Sequence, residues 1–307
     1  MKGTGNERGF ALVLTLVVTA LLVAVAAEFI HQVYVETSLH RNFLNLQQAS
    51  LMAQSGVTGG VELVRNLRLA GDQAPPLLQV MAKPLELEDE KGHISVTMEE
   101  EDGKLNLNSV TLPNGQPNDF FDQAEQRLLK RLGLPAALHD TLADWVDEND
   151  DPRPDGAESA YYQALPAPYL PRNAPFATFG ELTLVKGVTP AVRDALRPYA
   201  TVYGTAGGSI DINTAPTAVL LALDDDMTEG VVKGIDDRRR TTPFKTRGEV
   251  ANLPGMEAIA QRLGTRIDVK GFTYRFVSTA TVGDAKRVVE AVYTFDGAPR
   301  YLYWREY

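Results

Sequence analysis

The chain opens with a run that carries no charge. Met1 to Gly9 is short and polar, with Lys2 and Arg8, and Phe10 to Ala27 (FALVLTLVVTALLVAVAA) then holds no ionisable side chain. Thr15 and Thr19 are its only polar interruptions, and a helix absorbs a hydroxyl by bonding it to a preceding carbonyl. At about 1.5 Å per residue the run covers most of a bilayer core. Basic residues ahead of it predict a cytoplasmic N-terminus, with the rest outside. From Glu28 to Arg68 there is no proline. Leu39, Phe43, Leu46, Met52 and Val57, then Val61, Val64 and Leu67, recur at near-helical intervals with polar residues between. One helix is predicted from Phe10 to near Leu67, roughly 85 Å long, lipid-compatible at its start and amphipathic later. A secretory signal, with Ala24-Val25-Ala26 as its cleavage site, and a plain uncleaved anchor are the competing readings. Such a signal does not continue as a helix into its product.

Beyond the helix, Ala70 to Pro84 carries Pro75, Pro76 and Pro84 and reads as a linker. His93 to Met98 and Lys104 to Asn108 alternate, and the acidic turn Glu99 to Gly103 predicts a hairpin between them. Phe272 to Val282 and Arg287 to Phe295 predict a second hairpin around Gly283-Asp284, with Arg300 to Tyr307 as a last strand. These pieces are expected to form one antiparallel sheet on the long helix. From about Ser109 to Lys270 the pattern is helical and weakly repeated. Leu105-Asn106-Leu107-Asn108-Ser109 resembles Ile210-Asp211-Ile212-Asn213-Thr214, and Gly180 to Val188 resembles Gly248 to Met256. The spacings differ, so the first copy carries an insertion of a few dozen residues.

Composition narrows the chemistry. Cysteine is absent, which removes disulfides, thiolate catalysis and Cys-ligated metals. A net charge of -10 disfavours bulk nucleic-acid binding. The two Gly-turn hairpins, Val185-Lys186-Gly187-Val188 and Leu253-Pro254-Gly255-Met256, resemble helix-hairpin-helix elements. Acidic neighbours favour packing units over phosphate binders, and the run Arg238 to Arg240 reads as a solvated helix end. The four histidines are scattered with no catalytic or metal-ligand spacing, so no enzyme is expected. The densest polar cluster is Asp144 to Glu158, holding Asp144, Asp147, Glu148, Asp150, Asp151, Asp155 and Glu158. A hard cation such as calcium relieves the repulsion of bunched carboxylates. The alternative is a solvated acidic loop.

The junction Gly9-Phe10 resembles the cleavage site of a prepilin peptidase. Together with GKLNLN at 103–108, DWVDENDDPRPDGAESAYY at 144–162, FGEL at 179–182 and INTA at 212–215, the chain resembles the K-type minor pseudopilins of bacterial type II secretion systems. The resemblance implies an α+β fold: a pilin-like long N-terminal helix packed on an antiparallel sheet, with a large inserted α-helical domain of two tandem SAM-like or helix-hairpin-helix-like units. The expected divisions are a leader at 1–9, the helix at 10–70, sheet at 71–108, inserted units at 109–208 and 209–270, and C-terminal strands at 271–307. It implies calcium on Asp147, Asp150, Asp151 and Glu158, with backbone carbonyls completing the shell and Asn149 or Asp155 as substitutes. It implies partners in other minor pseudopilins of I and J type, the major pseudopilin, prepilin peptidase and the inner membrane, and no nucleic acid. The expected location is single-pass in the inner membrane with the C-terminal domain in the periplasm. Most pilin-like proteins place Glu five residues after cleavage; here that position is Leu14. A carboxylate in lipid needs a partner, whereas leucine needs none, which suits a subunit at the tip of a filament. The alternatives are a minor pilin of a type IV pilus and, in another class, a membrane-anchored helix-hairpin-helix DNA-binding protein.

Overall fold

The computed structural model describes residues 5–71, 74–112, 114 and 116–307. The first four residues of the expected leader lie outside this set. Helix α1 runs Gly5–Ala70, 66 residues, about 100 Å at the standard rise. The Thr15 and Thr19 hydroxyls donate to the carbonyls of Leu12 (2.9 Å) and Thr15 (2.7 Å), which keeps the uncharged stretch helical. Every residue from Gly9 to Leu44 is exposed. From Ala49 onward one stripe is buried: Ala49, Ala53, Val57, Val61 and Val64, spaced by four, four, four and three, as one face of a helix requires. Leu39 and Phe43, expected on the packed face, stay exposed. The packed face is made of small residues because the sheet comes close to the helix axis. A Cβ on Gly60 would press into the Phe276 ring, and one on Gly56 into Ser278 and Ile94.

The sheet has five antiparallel strands. In chain order they begin with β1 (Leu85–Asp89) and β2 (Gly92–Glu100) and end with β7 (Thr273–Val282), β8 (Ala285–Thr294) and β9 (Arg300–Glu306). The spatial order is β1-β2-β7-β8-β9. On β8, Val289, Ala291 and Tyr293 point into the core under α1, while Val292 points into the core of the inserted region. Strand alternation therefore puts the helix on one face and part of the insert on the other. A short helix α2 (Leu77–Met81) occupies part of the expected linker.

The predicted hairpin between His93 to Met98 and Lys104 to Asn108 is not formed. β2 pairs instead with β1, Leu87 opposite Ile94, through a turn in which Asp89 Oδ1 accepts from the backbone N–H groups of Lys91 (2.8 Å) and Gly92 (3.1 Å). The acidic turn after β2 is buried, not solvated. Glu101 accepts from Lys104 Nζ at 3.1 Å and Arg275 Nε at 2.8 Å, and this neutralised knot redirects the chain out of the sheet. Leu105 and Leu107 are both buried, as are Asn106 and Asn108, so the period-two pattern here does not mark a half-solvated strand.

The inserted region contains two copies of one unit. The first holds β3 (Leu105–Asn106), α3 (Asp119–Arg131), α4 (Leu138–Val146), α5 (Ser159–Gln163), α6 (Pro190–Leu196) and β4 (Ala200–Thr201). The second holds β5 (Ile210–Asp211), α7 (Thr217–Leu220), α8 (Glu229–Thr241), α9 (Arg247–Ala251), α10 (Glu257–Leu263) and β6 (Ile267–Asp268). Each is closed by a two-residue parallel ladder, β3 with β4 and β5 with β6, and each carries the same asparagine clamp. Asn108 Nδ2 donates to the carbonyls of Phe176 and Val202 and its Oδ1 accepts from Phe176 N–H. Asn213 does the same with Phe244 and Val269. Glu181 and Glu249 each accept from a backbone N–H four residues earlier, at 2.9 and 3.1 Å. Gly187 and Gly255 both sit at φ +82°, a conformation that favours glycine. Helix α3 serves both cores: Phe121, Ala124 and Leu128 pack with the second copy, Leu129 with the first. The Arg238 to Arg240 run is not wholly solvated, because Arg239 Nη1 donates to the carbonyls of Ile212 and Ala215, both at 2.8 Å.

Candidate functional site

Two regions offer function: the exposed half of α1 and the acidic loop after α4. In the first, Gly9 and Phe10 lie within α1 and both are exposed. Leu14 is 52% exposed on the same apolar rod, which is long and apolar enough to cross a membrane. A surface of this size is not stable in water; it requires lipid or other helices.

The acidic loop is the extra segment of the first copy. Trp145 anchors it from below, meeting Tyr162 edge-on at 5.4 Å and stacking with Phe176 at 6.2 Å. Asp144 and Asp147 flank that tryptophan three residues apart, so both emerge from one side of the end of α4. Both are fully buried. Arg153 Nη1 donates to Asp144 Oδ1 at 2.6 Å and Asp147 Oδ2 at 2.7 Å. Glu158, just before α5, is 3% exposed, and neither of its carboxylate oxygens has a hydrogen-bond partner. Ligand oxygens of Asp144, Asp147 and Glu158 lie within 4.8 Å of one another. Burial, then the charges of Asp144, Asp147 and Asp150, push the Glu158 carboxyl up to about 8 despite the opposing effect of Arg153. Burial also raises Asp144, with Arg153 acting against it. Lys186, in the first hairpin turn, donates to the carbonyls of Asp155 (3.1 Å) and Gly156 (2.9 Å). That lysine pins the loop.

Of the expected metal ligands, the fold brings Asp147 and Glu158 together. Asp150 is at the exposed rim, accepting from Ser159 N–H at 3.0 Å; the Ser159 hydroxyl and then this N–H lower its pKa. Asp151 is exposed, and its N–H donates to Asn149 Oδ1 at 2.7 Å. Asp155 is exposed as well. Asp144 was not among the expected ligands yet lies in the cluster; its three-residue spacing from Asp147 on a helix end was the signal for it. The donor set is entirely oxygen, and an orphaned buried carboxylate faces it. This fits a hard cation such as calcium, not a soft one. Sequence reading also passed over His139, which bridges Glu125 and Asp122, 3.1 Å to the latter, and is raised in pKa by Glu125 against burial. It ties α3 to α4.

Comparison with known families decides the affiliation. Residues 103–205 and 210–270 match two models, both described as type II secretion system protein K, that together cover more than half of the chain. The chain belongs to the type II secretion system protein K family. The break between the two matches falls at the seam between the two copies. Protein K of Pseudomonas aeruginosa is 26% identical over 297 residues, 92% of this chain and 87% of that protein. A putative protein K of Escherichia coli is 29% identical over 224 residues, 68% of this chain and 66% of that relative. A chain in the crystal structure of the GspK–GspI–GspJ complex from enterotoxigenic Escherichia coli has the same fold. It aligns with a TM-score of 0.68 over 90% of this chain and 99% of that one, at 20% identity. Members of the protein K family are structural pseudopilin components of the secretion apparatus.

Proposed function

We propose that this chain is the minor pseudopilin at the tip of a type II secretion pseudopilus. It starts assembly by packing α1 against the helices of I-type and J-type partners, ahead of the major pseudopilin. The observation that carries this reading is the division of α1. Its second half is sealed onto its own sheet through Ala and Val, while its first half, Phe10 to Leu44, is bare. Leu14 lies in that bare half, where a pilin-like glutamate would need a neighbour's N-terminal amine; a subunit with nothing ahead of it needs no such carboxylate. The complex named for the structural neighbour, with GspI and GspJ, supports the choice of partners. Prepilin peptidase cuts between Gly9 and Phe10, leaving α1 single-pass in the inner membrane and the remainder in the periplasm. Folded cargo is pushed outward by the filament, not by chemistry in this chain.

The test is twofold. Mass spectrometry of the mature protein gives Phe10 as the first residue; a first residue at Ala27 rejects the anchor. Cells lacking the chain retain cargo in the periplasm, and Leu14→Glu places a carboxylate without its partner and lowers secretion. Secretion at the normal level without the chain refutes the assignment.

Calcium is the second part of the proposal. Asp147 and Glu158 hold it, with Asp150 at the rim and backbone carbonyls completing the shell. The ion supplies the charge compensation that Glu158 lacks. A ligand at a hundredfold excess over its Kd stabilises by about 2.7 kcal/mol. The melting temperature therefore rises on adding calcium to chelator-treated protein, and an unchanged melting temperature rejects the ion.

A further inference from the structure

Asp144 and Glu158 share one pocket of negative charge yet differ in everything that matters to a cation. An ionised carboxylate offers about four acceptor sites. On Asp144 three of these are engaged by the protein itself. Oδ1 accepts from Arg153 Nη1 at 2.6 Å, and Oδ2 accepts from the backbone N–H groups of Ala157 at 2.9 Å and Arg153 at 3.2 Å. The approach is so close that a Cβ on Gly156 would collide with the Asp144 carboxylate. Glu158 is the opposite case, buried and with both oxygens unpartnered. Asp147 is intermediate: Oδ2 is held by Arg153 Nη1 at 2.7 Å and Oδ1 accepts from Asn149 N–H at 3.2 Å. A calcium ion takes oxygens at about 2.3–2.6 Å. Asp144 has one acceptor site left for it, crowded by the donors that shape the loop, whereas both oxygens of Glu158 are open.

Resting on the calcium reading above, we propose that Asp144 is a positioning residue and not a ligand of the cation site. With Arg153 it ties residues 153–157 across the end of α4, and so aims Glu158 and Asp147 at the ion. Outer-shell partners of this kind typically cost ten- to a hundredfold in metal affinity when removed. The proximity of three carboxylates is thus a two-ligand arrangement braced by the third.

The test is calorimetric titration of calcium chloride into the detergent-solubilised full chain after chelation, for wild type, Asp144→Asn, Arg153→Gln and Glu158→Gln. Glu158→Gln gives no binding heat, and it melts no lower than wild type in chelator because it removes an unpartnered buried carboxylate. Asp144→Asn and Arg153→Gln keep the wild-type stoichiometry with Kd weakened ten- to a hundredfold. If Asp144→Asn does not fold, Arg153→Gln carries the comparison through the same brace. A folded Asp144→Asn protein as silent as Glu158→Gln makes Asp144 a ligand and overturns the proposal. Wild-type affinity in both Asp144→Asn and Arg153→Gln also overturns it. Silence in the wild type rejects calcium itself, and is told apart from the other two results because no variant enters it.

Discussion

Replacing Asn213 by alanine is the sharpest test of the two-copy architecture. The side chain holds three buried backbone groups: the carbonyls of Phe244 and Val269, each accepting at 2.9 Å, and the Phe244 N–H, donating at 2.8 Å. Each buried backbone group left unpaired costs about 1–3 kcal/mol. Water entering the space left by the amide recovers part of that, so the expected loss is about 3–5 kcal/mol. Against a typical domain stability of about 5–15 kcal/mol, that is a large share of what holds the second unit folded. Asn108→Ala breaks the equivalent clamp, at 3.0, 2.9 and 2.7 Å, and should cost the same. The assays separate the copies. Of the two tryptophans, Trp145 lies in the core of the first unit and Trp304 on β9. Urea unfolding followed by Trp145 fluorescence therefore reports Asn108→Ala directly, while far-UV circular dichroism reports Asn213→Ala. A loss below about 1 kcal/mol at either position would mean that the clamp is incidental to the fold.

Other outcomes follow from the same structure. Gly60→Leu inserts a side chain where the Phe276 ring lies and should cost about 1–3 kcal/mol by overpacking; faster limited proteolysis of α1 reads it, and an unaltered rate rejects close helix–sheet contact. Glu100 and Asp211 hydrogen-bond each other at the junction of sheet and second unit, with Asp102, Asp268, Tyr274 and Arg239 around them. Burial and mutual repulsion push Glu100 up, and burial first of all brings Asp211 to about 6. A raised folded-state pKa gives stability that is complete below the unfolded value, near 4, and lost as pH rises through about 6 and beyond. Melting temperature should thus fall from pH 5 to pH 8, and Glu100→Gln should flatten the slope; an equal slope in both proteins excludes the pair as its cause. Glu101 is also buried, but Lys104 and Arg275 outweigh that and lower its pKa, so its contribution is lost only as pH falls through that depressed value. Glu101→Gln leaves two buried cations short of charge and should cost about 3–5 kcal/mol in urea unfolding.

How much of this could be read from the chain depends on where the determinants lie. The long helix and the strands β7 to β9 follow from local periodicity, and the repeat showed in Leu105 to Ser109 against Ile210 to Thr214. What the repeat meant physically, an asparagine reaching two carbonyls across the unit, needs contacts 31 to 94 residues apart, which no local pattern encodes. The hairpin expected around Glu99 to Gly103 failed for the same reason: Arg275, distant in sequence, turns an acidic surface turn into a buried knot. β1 was missed although Leu85 to Glu88 alternates; it is a short edge strand with one half-buried residue, and its pairing with β2 is what marks it. In the acidic loop, composition flagged the segment that holds the buried carboxylate cluster. It could not rank seven carboxylates, since burial and partnering set Glu158 apart from Asp151 and composition knows neither.

Helix α1 passes from its bare half to its sealed half without a proline or a break. A continuous helix resists axial strain far better than bending, so it behaves as a push-rod. A displacement imposed on the end near Phe10 arrives undiminished at Val57 and Val61, where the closely fitted sheet must ride with it. An axial push on the bare end of the helix is in this way delivered tens of ångströms away, with no proline or break along α1 at which it could be dissipated.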